Sequence, residues 1–437
     1  MEKVSLASLG CSKNLIDAEQ MLGILTDAGY EIVENEEDAD ILIVNTCTFI
    51  ESAKMESIEC ILELAQYKKA GKCQHLIVTG CMAQRYKEQV LTEIPEVDAV
   101  VGTNEYPDIV SVIEGLKQDG NREFCSDVPL MCQELPRLRT TPAYTAYLKI
   151  AEGCDNRCTY CVIPSIRGKY RSRKMEDILR EAEQMAQEGV KELIVIAQDI
   201  TRYGTDLYGK RSLAKLCNEL AKIEGIEWIR LHYLYPDQFD DELIDEIASN
   251  DKVVKYLDIP IQHINNKILK AMNRRGTGEE IRELFKKLRD KIPGLVIRTS
   301  LIAGLPGEGE AEFEELCEFL REARIERVGV FPFSPEEGTP AAKMAHVDFE
   351  EAQRRADLVM ELQAPIMDEF CQSFCGKTIK VLYEYYDEES QYHVGRCYAD
   401  SPDIDGEVHF AGCCKEGDIV DVLITSAEDG ILYGEEV

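Results

Sequence analysis

The feature that most constrains the fold is a repeat of short apolar segments, each followed by an amphipathic stretch. Near the N-terminus these segments are 4–11, 40–47, 75–81 and 99–103. Their alternation with helical patterns predicts β-α units, and so a parallel sheet with helices on its faces. Three segments end on cysteine, at Cys11, Cys47 and Cys81, here called the N-terminal trio. Because ligands bind at the carboxyl ends of strands in such sheets, we expect these thiols to meet there.

A second series of apolar segments leads into a cysteine-rich loop. The segments are 146–154, 192–200, 228–236, 256–263, 296–304 and 327–335. Six β-α repeats predict a barrel, or a (β/α)6 partial TIM barrel, with its site at the carboxyl ends of the strands. Cys154 closes the first segment, and Cys158 and Cys161 follow it; together they form the barrel trio. We expect this trio at the same end of the barrel.

After residue 375 the pattern changes to short strands separated by close turns such as SPDIDG and KEGD. This predicts a small antiparallel β-barrel. The predicted fold class is α/β with three domains. We assign residues 1–119 to an N-terminal parallel sheet domain, 120–139 to a linker, 140–370 to the partial barrel and 371–437 to the C-terminal barrel.

Composition indicates the cellular setting. The 437 residues include 17 cysteines, no visible secretory signal and no apolar run near the ~20 residues of a membrane helix. We therefore expect a cytoplasmic protein with reduced thiols that serve metal binding or catalysis. Cations number 10 against 25 anions in residues 1–135, 35 against 42 in 136–370 and 4 against 15 in 371–437. The acidic N-terminal and C-terminal parts of the chain should repel the phosphate backbones of nucleic acids and attract basic partners.

Neither trio has a fourth ligand at zinc-like spacing, although structural zinc almost always has four protein ligands. An iron–sulfur cluster held by three thiolates leaves one iron open for a substrate or cofactor. A zinc-stabilised interaction protein stays the alternative from a different class. Seven other cysteines are interpreted as small buried hydrophobes: Cys60, Cys73, Cys125, Cys132, Cys217, Cys317 and Cys397. Two pairs, Cys371 with Cys375 and Cys413 with Cys414, are interpreted as structural too, because no His or further cysteine lies at the spacing of a closed zinc site.

The barrel trio, with Tyr160 before its last cysteine, has the spacing Cys-x3-Cys-x-Tyr-Cys. It resembles the signature of the radical S-adenosylmethionine (SAM) enzymes. The resemblance implies a [4Fe-4S] cluster whose open iron binds SAM, and reductive cleavage of SAM to a radical that abstracts hydrogen. It also implies that strand-end residues contact SAM, and no catalytic residue is assigned beyond the clusters. The implied SAM contacts are Tyr160, Gln198, Asp199, Gln262, Arg298, Ser300 and Gly304.

Over essentially its whole length the chain resembles the radical-SAM methylthiotransferases, whose third domain is an OB-like barrel of the TRAM type. This resemblance implies that the N-terminal trio holds a second [4Fe-4S] cluster, whose open iron carries sulfur. It further implies the use of two SAM molecules, one to methylate the sulfur and one to supply the radical. A sulfur donor and an electron donor such as flavodoxin or ferredoxin are the implied partners.

Two branches of this family differ in substrate. The MiaB type modifies an adenosine derivative, isopentenyladenosine, in tRNA, and the other branch modifies the β-carbon of an aspartate in ribosomal protein uS12. Three segments are similar to the uS12 branch: GCSKN at 10–14, DIPIQH at 258–263 and GRCYADSPDIDG at 395–406. The acidic C-terminal domain also suits a basic ribosomal protein better than tRNA. We therefore expect uS12, free or in the small subunit, as the substrate.

Three arginines follow the barrel trio closely, Arg167, Arg171 and Arg173. Solvent exposure or ion pairing is the ordinary state of such side chains. Contact with a substrate carboxylate or with the acidic flanking domains is the alternative.

Overall fold

The computed structural model describes residues 1–48, 50–118, 122–128 and 134–437. Cys132 and residues 120–121 and 129–133 of the predicted linker lie outside the described residues. Within the described part of that linker, Glu123–Phe124 forms a strand at the edge of the N-terminal sheet, and Leu135 packs against the core of that sheet.

The N-terminal unit is a parallel sheet covered by helices. Its strands are β1 (Lys3–Ser8), β2 (Glu31–Ile32), β3 (Ile41–Thr46), β4 (His75–Gly80), β5 (Ala99–Val101) and β6 (Glu123–Phe124). Its helices are α1 (Ser12–Asp27), α2 (Glu51–Ala70), α3 (Cys81–Glu93) and α4 (Ile109–Leu116). The strand order is β2-β1-β3-β4-β5-β6, and neighbouring strands are parallel. Strands β1, β3 and β4 lie side by side, so the residues that follow them meet at one edge.

The central unit is the predicted partial barrel. Its parallel strands are β7 (Thr145–Lys149), β10 (Glu192–Ile196), β11 (Trp228–Leu231), β12 (Val253–Asp258), β13 (Val296–Ala303) and β14 (Arg327–Pro332), in the order β14-β13-β12-β11-β10-β7. A short antiparallel pair, β8 (Ala151–Glu152) and β9 (Arg171–Ser172), closes the cysteine loop. The helices are α5 (Ile163–Arg167), α6 (Met175–Gln187), α7 (Leu213–Leu220), α8 (Asp241–Ser249), α9 (Asn266–Ala271), α10 (Gly278–Lys291), α11 (Glu310–Ala323) and α12 (Phe349–Gln372).

Several barrel strands end earlier than their apolar segments suggest. Strand β7 ends at Lys149, so Cys154 lies in a loop beyond the strand and does not close it. The apolar run continues because Ile150 and Ala151 are fully buried where the loop packs on the barrel core. Leu234, beyond the end of β11, is buried in the same way. Burial and strand hydrogen bonding thus end at different residues.

The C-terminal unit is a small closed barrel, as predicted. Its strands are β15 (Thr378–Asp387), β16 (Tyr392–Cys397), β17 (Val408–Ala411), β18 (Ile419–Glu428) and β19 (Ile431–Glu436), closed in the order β15-β16-β17-β19-β18. The barrel is not wholly antiparallel, because β17 and β19 pair in parallel. No helix in the described ranges combines the length and the apolar character needed to cross a membrane.

The acidic segment 395–406 packs against the central barrel. Asp400 is nearly fully buried and pairs with Arg327 at 2.5 Å, and Asp405 accepts a hydrogen bond from the Tyr256 hydroxyl at 2.6 Å. These carboxylates compensate buried cations and hydroxyls of the barrel. They are therefore structural, and an acidic surface for a partner must come from other residues of the C-terminal domain.

Candidate active site

The N-terminal trio gathers at the edge formed by β1, β3 and β4. Cys11 caps the N-terminus of α1 and is exposed, Cys47 directly follows β3, and Cys81 is the first residue of α3. Cys47 and Cys81 are each 8% exposed. This placement agrees with the expectation that the three cysteines, which are distant in sequence, lie at one edge of the sheet.

Glycines allow the loops of this trio to approach each other closely. Gly10 has φ +89°, and a Cβ there would lie 2.9 Å from the Cys47 Sγ. Gly80 has φ +91°, and a Cβ there would lie 2.6 Å from the Thr46 carbonyl oxygen. Positive φ and absent Cβ are properties of glycine. Substitution at either glycine would displace a cysteine of the trio.

Side-chain hydrogen bonds fix the same loops. The Asn14 amide donates to the carbonyl oxygens of Leu9 at 2.7 Å and Thr46 at 3.2 Å, which links the ends of β1 and β3. The Ser57 hydroxyl contacts both the backbone N–H and the carbonyl oxygen of Cys47, each at 3.0 Å. The backbone that presents the thiols is therefore held by α1 and α2.

The barrel trio lies in the loop between β8 and α5. Backbone bonds shape this loop: the Cys154 N–H donates to the Gly168 carbonyl at 3.1 Å, and the Cys161 N–H donates to the Cys158 carbonyl at 3.1 Å. Gly153 has φ +79°, and a Cβ there would lie 2.2 Å from the Lys169 carbonyl oxygen. The loop thus doubles back on itself with no room for a side chain at its start.

Burial raises the pKa of several of these thiols: to about 11 for Cys81 and Cys154, and to about 12 for Cys161. Thiols bind metals as thiolates, so ligation must release protons. Cations oppose the burial penalty: Arg167 donates to the Cys81 Sγ at 3.5 Å, and Arg274 approaches the Cys158 Sγ at 4.0 Å. Both sites therefore contain a positive charge that favours bound thiolate.

Among the described residues, no three His, Cys, Asp or Glu side chains converge on a point where one metal ion would bind. The iron atoms of a cubane cluster are separate from one another, so its thiolates need not converge on one point. Within each trio the thiols still interact electrostatically. Each site offers three soft thiols, and thiolates are the ligand type that iron–sulfur clusters use.

Gln198 and Asp199 follow β10 and contact the loop of the barrel trio. The Gln198 amide donates to Glu152 at 2.7 Å, while its Oε1 is buried and has no partner in the described structure. The Asp199 carboxylate accepts from the Asn156 amide at 2.8 Å and from Arg202 at 3.0 Å, and burial raises its pKa. Gln198 therefore has an acceptor available for a ligand, whereas Asp199 is already bonded.

The other predicted SAM contacts lie in the loop after β12, on β13 or directly after it, and in the trio loop. Gln262 has φ +70°, and its backbone bonds to Ser300 and Ile302, which brings it beside β13. The Arg298 guanidinium pairs with Asp258 at 2.9 Å inside the barrel. As SAM contacts, Gln262, Ser300 and Arg298 stay predictions.

Gly304 and Tyr160 differ from that group. A Cβ at Gly304 would lie 2.4 Å from the Ala352 Cβ of α12, so this glycine permits close helix packing. The Tyr160 hydroxyl lies 3.4 Å from Arg274 Nη1, and burial raises the tyrosine pKa. Both residues also stay predictions as SAM contacts.

Three residues that contact the thiols of the barrel trio were not predicted from the sequence: Asn156, Tyr235 and Arg274. The Tyr235 hydroxyl lies 3.4 Å from the Cys158 Sγ, and the Arg274 guanidinium stacks on the Tyr235 ring at 4.2 Å. Asn156 lies between two cysteines of the motif, which is the one sequence signal that could have singled it out. Tyr235 and Arg274 reach the site from distant loops.

A cavity of about 630 Å³ opens beside the barrel trio. Its walls come from α3, from the cysteine loop including Cys158 and Cys161, and from residues 337–340. Arg85 of α3 spans this junction, donating to Glu336 and to the Glu337 carbonyl, each at 2.8 Å. The N-terminal sheet and the barrel thus both contribute to the surroundings of the site.

Family comparisons match all three units. Residues 3–102 match "Uncharacterized protein family UPF0004", residues 148–320 match "Radical SAM superfamily" and residues 375–437 match "TRAM domain". A protein of Acetivibrio thermocellus named ribosomal protein uS12 methylthiotransferase RimO is 50% identical, covering 100% of this chain and 98% of the relative. A protein of the same name from Clostridioides difficile is 48% identical, covering 100% and 99%. The chain belongs to the RimO family of radical-SAM methylthiotransferases.

Membership of the RimO family confirms the predicted enzyme class, a transferase, and the predicted cofactors, [4Fe-4S] and SAM. Solved structures support the fold. The radical SAM methyltransferase TsrM from Kitasatospora setae has a TM-score of 0.57 at 14% identity, covering 77% of each chain. The cobalamin-dependent SAM radical enzyme OxsB has a TM-score of 0.54 at 13% identity, covering 83% of this chain and 56% of its own. At such identities the likeness concerns the fold alone.

Proposed function

We propose that this chain adds a methylthio group to the β-carbon of an aspartate in ribosomal protein uS12, using two SAM molecules and two [4Fe-4S] clusters. The observation that carries the proposal is the similarity, over the full chain, to relatives named as uS12 methylthiotransferases. The cytoplasm is the proposed location. An electron donor such as flavodoxin or ferredoxin and a sulfur donor are the proposed partners.

The residues present fit these cofactors. Cys154, Cys158 and Cys161 would hold the cluster that binds SAM, and the N-terminal trio would hold the second cluster. Buried acceptors without a partner in the described structure, Gln198 Oε1 and Asn156 Oδ1, suit the amino group of SAM. When bound, the cofactors supply the reductive cleavage of SAM, the hydrogen abstraction and the sulfur.

The chain's own residues bring the two sites together through apolar contacts. Cys81 packs against Val162 and Ile166 of the barrel loop in an apolar contact. Ile16 of α1 packs against Ile194 and Ile196 inside the barrel. Apolar packing of this kind limits the access of solvent to reactive chemistry.

The outer face of the C-terminal barrel has exposed side chains that suit a basic protein substrate. Glu388 and Glu389 are exposed at the turn after β15, and Tyr385 and Tyr386 are 49% and 47% exposed beside them. Carboxylates repel nucleic-acid phosphates and attract Lys and Arg side chains, which also stack on aromatic rings. This face is the proposed contact for uS12.

The mass of uS12 from cells that lack this protein tests the substrate. We expect uS12 to lose the mass of one methylthio group, with tRNA modification unchanged. An unchanged uS12 mass together with an altered adenosine derivative in tRNA would assign the chain to the MiaB type instead.

Anaerobic reconstitution tests the cofactor sites. We expect two four-iron clusters per chain, and one cluster but no SAM cleavage after alanine substitution of Cys154, Cys158 and Cys161. Zinc without iron would favour the interaction-protein alternative, and SAM cleavage by the substituted chain would contradict the assigned roles.

A further inference from the structure

Arg167 joins the two cysteine sites physically. It is the last residue of α5, the short helix that follows the barrel trio, and is only 3% exposed. Its Nη2 donates to the Asn14 Oδ1 at 3.1 Å and to the Cys81 Sγ at 3.5 Å, both in the N-terminal unit. A side chain that leaves one site therefore ends at a cysteine of the other.

Buried carboxylates hold the guanidinium in place. Arg167 Nη1 pairs with Asp17 of α1 and lies 3.5 Å from Glu152. Lys149 completes the network, at 2.5 Å from Asp17 and 3.0 Å from Glu152. Two cations and two anions balance within this network, so the guanidinium is charged and oriented before any thiolate binds iron. With Nη1 held by Asp17 and Glu152 and Nη2 held by Asn14, the planar guanidinium has little freedom to turn.

A fixed cationic N–H donor at a cluster thiolate changes the energy of reduction. Adding an electron makes the cluster and its thiolates more negative, and a hydrogen bond from a cation stabilises that reduced state. Outer contacts of metal ligands also orient the ligand itself. The barrel trio has a weaker counterpart in Arg274, whose nearest nitrogen is 4.0 Å from the Cys158 Sγ.

We propose that Arg167 is a positioning residue for the second cluster, orienting Cys81 and raising the reduction potential of that cluster through its N–H contact with the thiolate. The inference rests on the proposed assignment of a cluster to Cys11, Cys47 and Cys81. It makes α5 the link through which the barrel sets the electronic state of the N-terminal site.

Potentiometric titration followed by electron paramagnetic resonance tests this in the full chain with Cys154, Cys158 and Cys161 changed to Ala, which isolates the N-terminal cluster. Arg167→Gln should shift the potential to a more negative value, and Arg167→Lys, which keeps the charge but loses the forked geometry, should give an intermediate value. Lys169→Gln is the matched control because this lysine in the same loop is exposed and its side chain contacts no thiol among the described residues. Its potential should equal that of the background chain.

A charge-balanced variant, Arg167→Gln with Asp17→Asn, guards against misfolding, because Lys149 and Glu152 still pair in it. It should show the same negative shift as Arg167→Gln. An unchanged potential in either Arg167 variant with four irons bound would overturn this proposal alone. A background chain that binds no iron–sulfur cluster would overturn the cluster assignment on which the proposal rests.

Discussion

At the scale of single residues, the loop of the barrel trio is held by polar contacts that start at Asp199. The Asn156 amide donates to Asp199 at 2.8 Å, and the Asn156 backbone N–H lies 3.4 Å from the Cys154 Sγ. Asp199 is itself fixed, because it also accepts from the backbone N–H of Thr201 at 3.1 Å. The Asn156 side-chain amide therefore fixes the geometry of the cysteine loop together with the backbone hydrogen bonds of that loop.

We expect Asn156→Ala to lower iron occupancy of the barrel site, or SAM cleavage, by about 10–100-fold, the usual cost of removing an outer contact of a metal ligand. Iron analysis after reconstitution and chromatography of the SAM cleavage product measure the two effects. Asn218→Ala, on the exposed side of α7, is the control and should change neither. Equal behaviour of the two variants would contradict the role of Asn156.

Sequence spacing predicted the cysteines but not the side chains around them. The barrel trio is local in sequence, so its chemistry is visible as a motif. The contact between Asn156 and Asp199 spans 43 positions, and that between Tyr235 and Cys158 spans 77. Arg167 was expected to be solvated or ion-paired, with contact to the acidic flanking domains as the alternative. The structure shows it buried and paired with Asp17 of the N-terminal domain, and its thiol contact likewise depends on how the two domains pack. Such contacts follow from tertiary structure and leave no periodic signal.

At the scale of elements, the β-α rhythm predicted both parallel sheets because apolar periodicity reports burial directly. The ends of strands were less predictable, as β7 and β11 show, because buried loops are as apolar as strands. Gly153 directly follows β8 and begins the cysteine loop. Its positive φ turns the chain from β8 into the cysteine loop, where the Lys169 carbonyl approaches within 2.2 Å of the position of a Cβ.

We expect Gly153→Ala to destabilise the protein and to prevent loading of the barrel site, because the loop must open to relieve the clash. Gly209→Ala is the matched control: Gly209 also has positive φ, at +70°, but no atom of the described residues lies within 4 Å of a Cβ there. The control should lose only about 1 kcal/mol of stability from the strained backbone. Thermal unfolding and iron content distinguish the two, and a Gly153→Ala chain with full iron content would refute this account.

At the scale of the whole molecule, a buried ion network joins the C-terminal barrel to the central one. Glu192 of β10 is fully buried, and pairs with Arg230 of β11 at 2.8 Å and with Arg396 of β16 at 2.7 Å. Arg230 also donates to the Tyr398 carbonyl at 2.8 Å. The acidic C-terminal domain is thus attached through cations and anions that compensate one another, which overall charge counts could not reveal.

We expect Glu192→Gln to destabilise the protein by about 3–5 kcal/mol, the usual cost of leaving a buried charge without its partner. The loss should be concentrated at the contact between the two barrels, because Arg230 and Arg396 would both lose the carboxylate with which they pair. Urea unfolding followed by tyrosine and tryptophan fluorescence measures it. Glu227→Gln, at an exposed position just before β11, should have almost no effect.

The same network predicts a pH dependence whose sign is fixed. Burial opposes ionisation of Glu192, but Arg396 and Arg230 outweigh burial and lower its pKa to about 2. An unfolded glutamate has a pKa of about 4.3, so the difference corresponds to about 3 kcal/mol. This stability is fully present above about pH 4.3 and is lost as the pH falls through about 2, because the folded carboxylate must then bind a proton.

Comparison of the parent chain with Glu192→Gln isolates this contribution from those of the other carboxylates. The difference in unfolding free energy should be largest at pH 7 and smaller at pH 3, because the glutamate of the unfolded chain, with a pKa of about 4.3, already binds a proton at pH 3. Urea midpoints for both chains at pH 7, 4 and 3 measure the trend. A difference that stays constant over this range would mean that packing, and not the charge of Glu192, joins the two barrels.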